Sequence, residues 1–156
     1  YSEVGDLSQA TAYYRRAIAT AERLGPARAV LAAGPLSNLG NALIARGELA
    51  EARRTLARAQ VLAEQARDGA LYATILYNLG NISRDEGRID EAFALHQQSL
   101  AMREQGGDVD GQSQNLVELG KIERTRGRMT EAGALLERAL ALATGAGLPA
   151  AVARAQ

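Results

Sequence analysis

A chain of 156 residues in which 18 basic side chains balance 18 acidic ones carries no net field, so attraction to nucleic acid, to an anionic membrane or to a strongly acidic partner is not expected. There is no cysteine, which removes disulfides, thiolate chemistry and cysteine zinc sites and fits a reducing compartment. No apolar run approaches a membrane span and no charged-then-apolar leader opens the chain, so the expectation is a soluble, cytoplasmic protein.

In chain order, Tyr1 to Val4 read as the last turn of a helix that Gly5 ends, the first sign of a fragment of a longer protein. Gly47, Gly87 and Gly127 then stand 40 residues apart, with Gly5 42 residues before the first of them. Glycine just past a helix end takes the left-handed conformation at little cost and turns the chain. An apolar residue follows each (Leu7, Leu49, Ile89, Met129), and Ser8, Asp90 and Thr130 are N-cap types in three of the four copies. Helices are expected at about 7–24, 49–66, 89–105 and 129–145, with inward positions at i, i+4, i+7 and i+8: Ala10, Tyr14, Ala17, Ile18, and in the later copies Ala52, Leu56, Ala59, Gln60; Ala92, His96, Ser99, Leu100; Ala132, Leu136, Ala139, Leu140. Between them, helices at about 27–46, 69–86 and 109–126 begin after the breakers Gly25-Pro26, Asp68-Gly69 and Gly106-Gly107-Asp108. Gly34-Pro35 interrupts the first of these, and a kink or break is expected near Ala33. Leu148 to Gln156, with Pro149 in its first turn, would start one more helix.

The result is one register held three times. Leu36, Leu39, Gly40 and Leu43 form the apolar stripe of the first copy, Leu76, Leu79 and Gly80 that of the second, and Leu116, Leu119 and Gly120 that of the third. A glycine inside a helix costs about 1 kcal/mol relative to alanine. Its recurrence predicts close helix approach, with Gly40, Gly80 and Gly120 facing Ala52, Ala92 and Ala132. The domain reading is a single array over 1–156: a partial repeat at 1–24, repeats at 27–66, 69–106 and 109–145, and the start of a further helix at 148–156.

The pattern Leu36…Leu39-Gly40…Gly47…Ala52…Leu56…Ala59, with its copies, resembles the tetratricopeptide repeat (TPR). Two departures are the leucine where that family has an aromatic at the fourth position and the missing closing proline. A period near 40 is similar to that of kinesin light chain repeats, and the Asn-Leu-Gly-Asn sequence resembles repeat arrays of bacterial signal-transducing regulators and ATPases. The resemblance implies an all-α fold, a right-handed α-α superhelical solenoid of stacked antiparallel helix pairs, with a concave groove lined by the first helices. By the same resemblance the groove positions are Ser37, Asn38, Asn41 and Ile44; Tyr77, Asn78, Asn81 and Arg84; and Val117, Glu118, Lys121 and Arg124.

Asn38/Asn41 and Asn78/Asn81 lie at i, i+3, so each pair shares a helix face. An amide offers both donor and acceptor, which suits the backbone of an extended peptide, although neighbouring helices or water would satisfy it equally. Tyr77 is the groove aromatic and the expected anchor for a ligand side chain. Arg84, Lys121 and Arg124 form a basic lane that Asp85, Glu118 and Glu123 stand close enough to neutralise. His96 occupies an apolar position and reads as a core histidine. No catalytic constellation, metal set or phosphate loop is present in the sequence, and neither enzymatic activity nor a cofactor is expected. The expected function is a scaffold that binds a peptide or extended protein segment; the alternative is a regulatory or oligomerisation domain of a larger bacterial signalling ATPase or transcriptional regulator. Repeat ends stripped of their neighbours would favour self-association.

Overall fold

The computed structural model describes residues 2–145, with side chains from residue 7 onward. Its elements are α1 (Ser2–Arg23), a 3-10 helix (Pro26–Ala32), α2 (Ala33–Ala45), α3 (Leu49–Gln65), α4 (Gly69–Asp85), α5 (Ile89–Gly106), α6 (Val109–Thr125) and α7 (Met129–Gly145). The helical piece expected at 148–156 lies outside the described residues. Two compact units emerge, Tyr1–Ile82 and Ser83–Gln156, and their boundary falls inside α4.

One turn device joins the helices from α2 onward. Gly47, Gly87, Gly107 and Gly127 have φ between 71° and 77°, and Arg67 has φ 55°. The next N–H then reaches back five residues, from Glu48 to Leu43 O (2.9 Å), Asp68 to Ala63 O (3.0 Å), Arg88 to Ser83 O (2.8 Å), Asp108 to Arg103 O (3.0 Å) and Arg128 to Glu123 O (2.9 Å). These bonds satisfy carbonyls that a helix end leaves without partners. So short a turn reverses the chain and, within each unit, lays consecutive helices antiparallel.

The turns correct two expectations. Gly5 ends no helix, because α1 runs from Ser2 through it; the continued ladder outweighs the cost of one interior glycine. Before α4 it is Arg67 that takes the left-handed position, and Gly69 opens α4 while Asp68 Oδ1 accepts from the Leu71 N–H at 3.0 Å. Asp90 and Thr130 are not N-caps. A single residue after the glycine (Glu48 at φ −83°, ψ 56°; Arg88 at φ −84°, ψ 69°) already returns the chain to the helix, so Asp90 and Thr130 fall within the first turns. The interruption at Ala33 is a change of helix type: the 3-10 segment runs to Ala32, the Ala33 N–H reaches Val30 O, and Pro35 sits in the first turn of α2, where its missing N–H matters least.

In unit 1, α2 packs against α1 and α3. Leu36, Leu43, Ala52, Leu56, Ala59 and Ala63 are all 1% exposed or less, and each buried leucine contributes about 1.5–3 kcal/mol relative to an exposed one. In unit 2, α6 packs against α5 and α7, around Leu100, Leu116, Val117, Leu119 and Ala139. Gly40 and Gly120 do mark close approach, and the side chain each meets lies one turn beyond the expected alanine. A Cβ on Gly40 would lie 2.6 Å from Leu56 Cγ and Cδ2, and one on Gly120 would lie 3.0 Å from Leu136 Cγ and Cδ2, with the Ala132 carbonyl oxygen at 3.4 Å. The large side chain of the second helix fills the space that the missing Cβ leaves, which fixes how deeply the pair can interlock.

Candidate functional site

In unit 1 the chemistry lies on α2 and α4, the first helices of consecutive repeats. Both carry their asparagine pair on a face away from the leucine stripe. Asn78 Nδ2 donates to Asn41 Oδ1 at 2.6 Å on the exposed surface, linking the two pairs from helix to helix. Asn38 and Asn41 are exposed, and Tyr77, Asn78 and Asn81 are half-buried. The structure thus brings four of the expected amides and the aromatic onto adjoining helices. Ser37 is a correction: at 2% exposure it belongs to the interior and offers a ligand nothing. Because α2 is flanked by helices on two sides, its buried arc widens from one stripe to include Ala33, Ser37 and Ala42 as well.

The same widening governs α6 in unit 2. Val117 (2% exposed) and Glu118 (7%), expected in the groove, are buried. Glu118 gathers the basic lane: the Arg84 guanidinium bonds one carboxylate oxygen, and Lys121 Nζ lies 2.8 Å from the other. Arg84 Nη2 also pairs with Asp85 at 2.9 Å. Arg124 is exposed. Glu123 does not serve the lane; at 3% exposure it holds the following turn, bonding Arg126 Nη1 at 2.7 Å and Arg128 Nη1 at 3.2 Å. Arg126 in turn lies over the Phe93 ring, 4.4 Å from its centroid.

A buried polar network between α5 and α6 escapes the sequence reading. Arg103, 6% exposed, donates from Nη1 to Gly111 O and to Asn115 Oδ1, both at 2.8 Å. Ser99 Oγ donates to the same Asn115 oxygen at 3.1 Å, Asn115 Nδ2 to His96 O at 3.0 Å, and Gln112 Nε2 to Arg103 O at 3.1 Å. Gly111 leaves room for it, since a Cβ there would meet Arg103 Cδ at 2.6 Å and collide with Asp108 Oδ2. His96 is fully buried, as its apolar position implies, and its pKa is lowered to about 3, first by burial and then by the charges of Arg84, Arg103 and Lys121. The register itself held the missed signal: forty residues earlier, Ala63 and Ile75 occupy the places of Arg103 and Asn115.

Among the described residues, no group of three His, Cys, Asp or Glu side chains is placed to hold a metal ion, and no helix is long and apolar enough to cross a membrane. A search by sequence among curated proteins finds no match. Solved structures do match in fold. BtubC (BKLC) from P. vanneervenii is 21% identical, with a TM-score of 0.75 over 96% of this chain and 62% of its own. Aspartyl phosphate phosphatase F from Bacillus subtilis is 16% identical, with a TM-score of 0.88 over 99% of this chain and 40% of its own. The kinesin light chain TPR-like repeats from Podosopora anserina are 18% identical, with a TM-score of 0.74 over 99% of this chain and 80% of theirs. The chain therefore spans about three-fifths and two-fifths of the first two, and at these identities the likeness is one of fold. The family model for the MalT-like TPR region matches residues 1–156. The fold class is thus the TPR-like helical solenoid, and the chain belongs to the MalT-like TPR family.

Proposed function

We propose that this chain is a protein-binding scaffold whose first helices hold an extended segment of a partner against a row of asparagine amides. The observation that carries the reading is the Asn78–Asn41 hydrogen bond, which joins the pairs of two repeats into one row on the exposed side of α2 and α4. A primary amide has two N–H donors and two acceptor lone pairs, more than one such bond uses, and it can meet a peptide backbone without demanding its sequence. Tyr77, beside Asn78, supplies the apolar contact for a ligand side chain. In unit 2, Lys121 and Arg124 favour an acidic residue, weakened by Glu118, which already holds Lys121 and Arg84. The family match supports a second reading at the level of the whole protein, in which this array is the regulatory repeat domain of a larger bacterial regulator. The two readings are compatible, since a regulatory array works by docking protein segments.

The test is a peptide selected by display against the chain and titrated by calorimetry. Asn78→Ala with Asn81→Ala should weaken it several-fold or more, at about 0.5–1.5 kcal/mol per hydrogen bond lost, with helix content unchanged. Unaltered affinity in the double variant would remove the amide row from the site.

A further inference from the structure

We infer that the pocket walled by α1, the 3-10 helix and α3 is a binding site for a small, uncharged phenol. It holds about 300 Å³, the lower end of the range for small-molecule sites. Its lining is Glu22 of α1, Ala29 and Ala32 of the 3-10 helix, and Arg58, Val61 and Leu62 of α3. Ala32, 1% exposed, lies at its base.

The later copies show what such a place takes. Ala32 stands forty residues before Tyr72 and eighty before Gln112, and both of those longer side chains lie back on the second helix that precedes them. The Tyr72 hydroxyl accepts from Gln60 Nε2 of α3 at 2.9 Å, and Gln112 Nε2 donates to Arg103 O of α5 at 3.1 Å. Ala32 ends at its Cβ, so the place that the Tyr72 side chain takes beside α3 is left open beside α1. The pocket is thus internal to the array: in unit 2 the corresponding elements are α5, α6 and α7, and there Gln112 is 9% exposed.

The rim selects the polar group. Arg58 Nη2 meets Glu22 Oε1 at 2.6 Å, a bond that leaves the guanidinium with further N–H donors and the carboxylate with further lone pairs. A phenol hydroxyl can donate to Glu22 and accept from Arg58 at once. An anion would face Glu22 and an ammonium would face Arg58, each above an alkyl base that penalises charge. Val61, 53% exposed, is the one large apolar side chain exposed on α3, where the later copies have Ala101 and Ala141. Arg54, Arg58, Glu64 and Gln65 surround it on the exposed face of the same helix. A single apolar spot inside a polar rim suits a small molecule, since a protein partner needs a wider patch. The pocket shares no residue with the amide row, and the inference stands or falls independently of the function proposed above.

Para-cresol, toluene and para-toluate titrated into the whole chain, followed by the methyl signals of Ala29, Ala32, Val61 and Leu62 in proton–carbon correlation spectra, test this. Para-cresol should shift these methyls saturably and bind about threefold or more tighter than toluene, the share of one hydrogen bond, with para-toluate weaker than para-cresol. Ala32→Tyr, which installs the residue of the second copy, should abolish binding. Glu22→Ala with Arg58→Ala changes two exposed side chains and leaves the base of the pocket as it is, so para-cresol should then bind no better than toluene. Absence of saturable shifts, equal binding of para-cresol and toluene by the parent, or undiminished binding by a folded Ala32→Tyr variant would overturn the inference. So would tighter binding of para-toluate, which would make this an anion site, or display-selected peptides whose tyrosine shifts the same methyls, which would make a protein side chain the occupant.

Discussion

Gly40 and Gly120 hold the same register position yet differ in what surrounds them. Leu56 is fully buried and meets a Gly40 Cβ at 2.6 Å through Cγ, which cannot swing away, whereas Leu136 is half-buried and meets a Gly120 Cβ at 3.0 Å. Overfilling a packed contact costs about 1–3 kcal/mol, and replacing glycine by alanine within a helix returns about 1 kcal/mol. Gly40→Ala should therefore destabilise, and Gly120→Ala should be neutral or mildly stabilising. Urea midpoints of the two variants decide the matter; equal shifts would mean that the leucine contacts do not set the helix spacing.

At the scale of the element, the Arg103 network pins α5 to α6 with hydrogen bonds where the preceding repeat uses alkyl packing. Truncating Arg103 removes two charge-assisted hydrogen bonds, one to the Gly111 carbonyl and one to the Asn115 oxygen that Ser99 continues to serve, at about 1.5–3 kcal/mol each. Arg103→Ala should accordingly lower stability by about 2 kcal/mol or more. Adding Asn115→Ile reproduces the Ala63/Ile75 pair, both fully buried in unit 1, and should recover part of that loss. Thermal denaturation of the single and double variants is the measurement; a double variant weaker than the single would show that the polar pair cannot be exchanged for the apolar one. Helix spacing thus follows from the glycines, while the choice between polar and apolar seams is made repeat by repeat.

Across the whole molecule, stability in repeat arrays is close to a sum of repeat and neighbour contributions, so a local perturbation should stay local. Acid supplies one. The pKa of His96 is about 3 in the folded chain against 6.5 for the free side chain. Between those values the unfolded chain binds a proton that the folded chain does not, so stability is lost as the pH falls through this window and is retained above it. The slope from this one group approaches about 1.4 kcal/mol per pH unit. His96→Leu, which installs the residue found at positions 56 and 136, should remove that share of the pH dependence. Hydrogen exchange at pH 5 should show the acid-induced loss of protection within 83–145, while 2–82 keeps its own. Identical pH profiles for the parent and His96→Leu would refute the assignment.

Legible in the sequence were the helical repeat, its period, the turn glycines at 47, 87 and 127, the leucine stripes and an interruption near Ala33, although not its 3-10 form. Each of these follows from local chemistry: left-handed conformation, proline geometry and helical spacing act within a few residues. The amide pairs were also legible, because i, i+3 spacing places both members on one face. Tertiary structure decided the rest. Ser37, Val117 and Glu118 are buried because each first helix is flanked by helices on two sides, and no single-helix periodicity reveals the width of that arc. Gly40 rests on Leu56 rather than Ala52 because the relative translation of packed helices is set by side-chain volume on both. Arg103 and Asn115, twelve residues apart in the chain, became partners only when α5 and α6 closed on one another and made a buried arginine satisfiable.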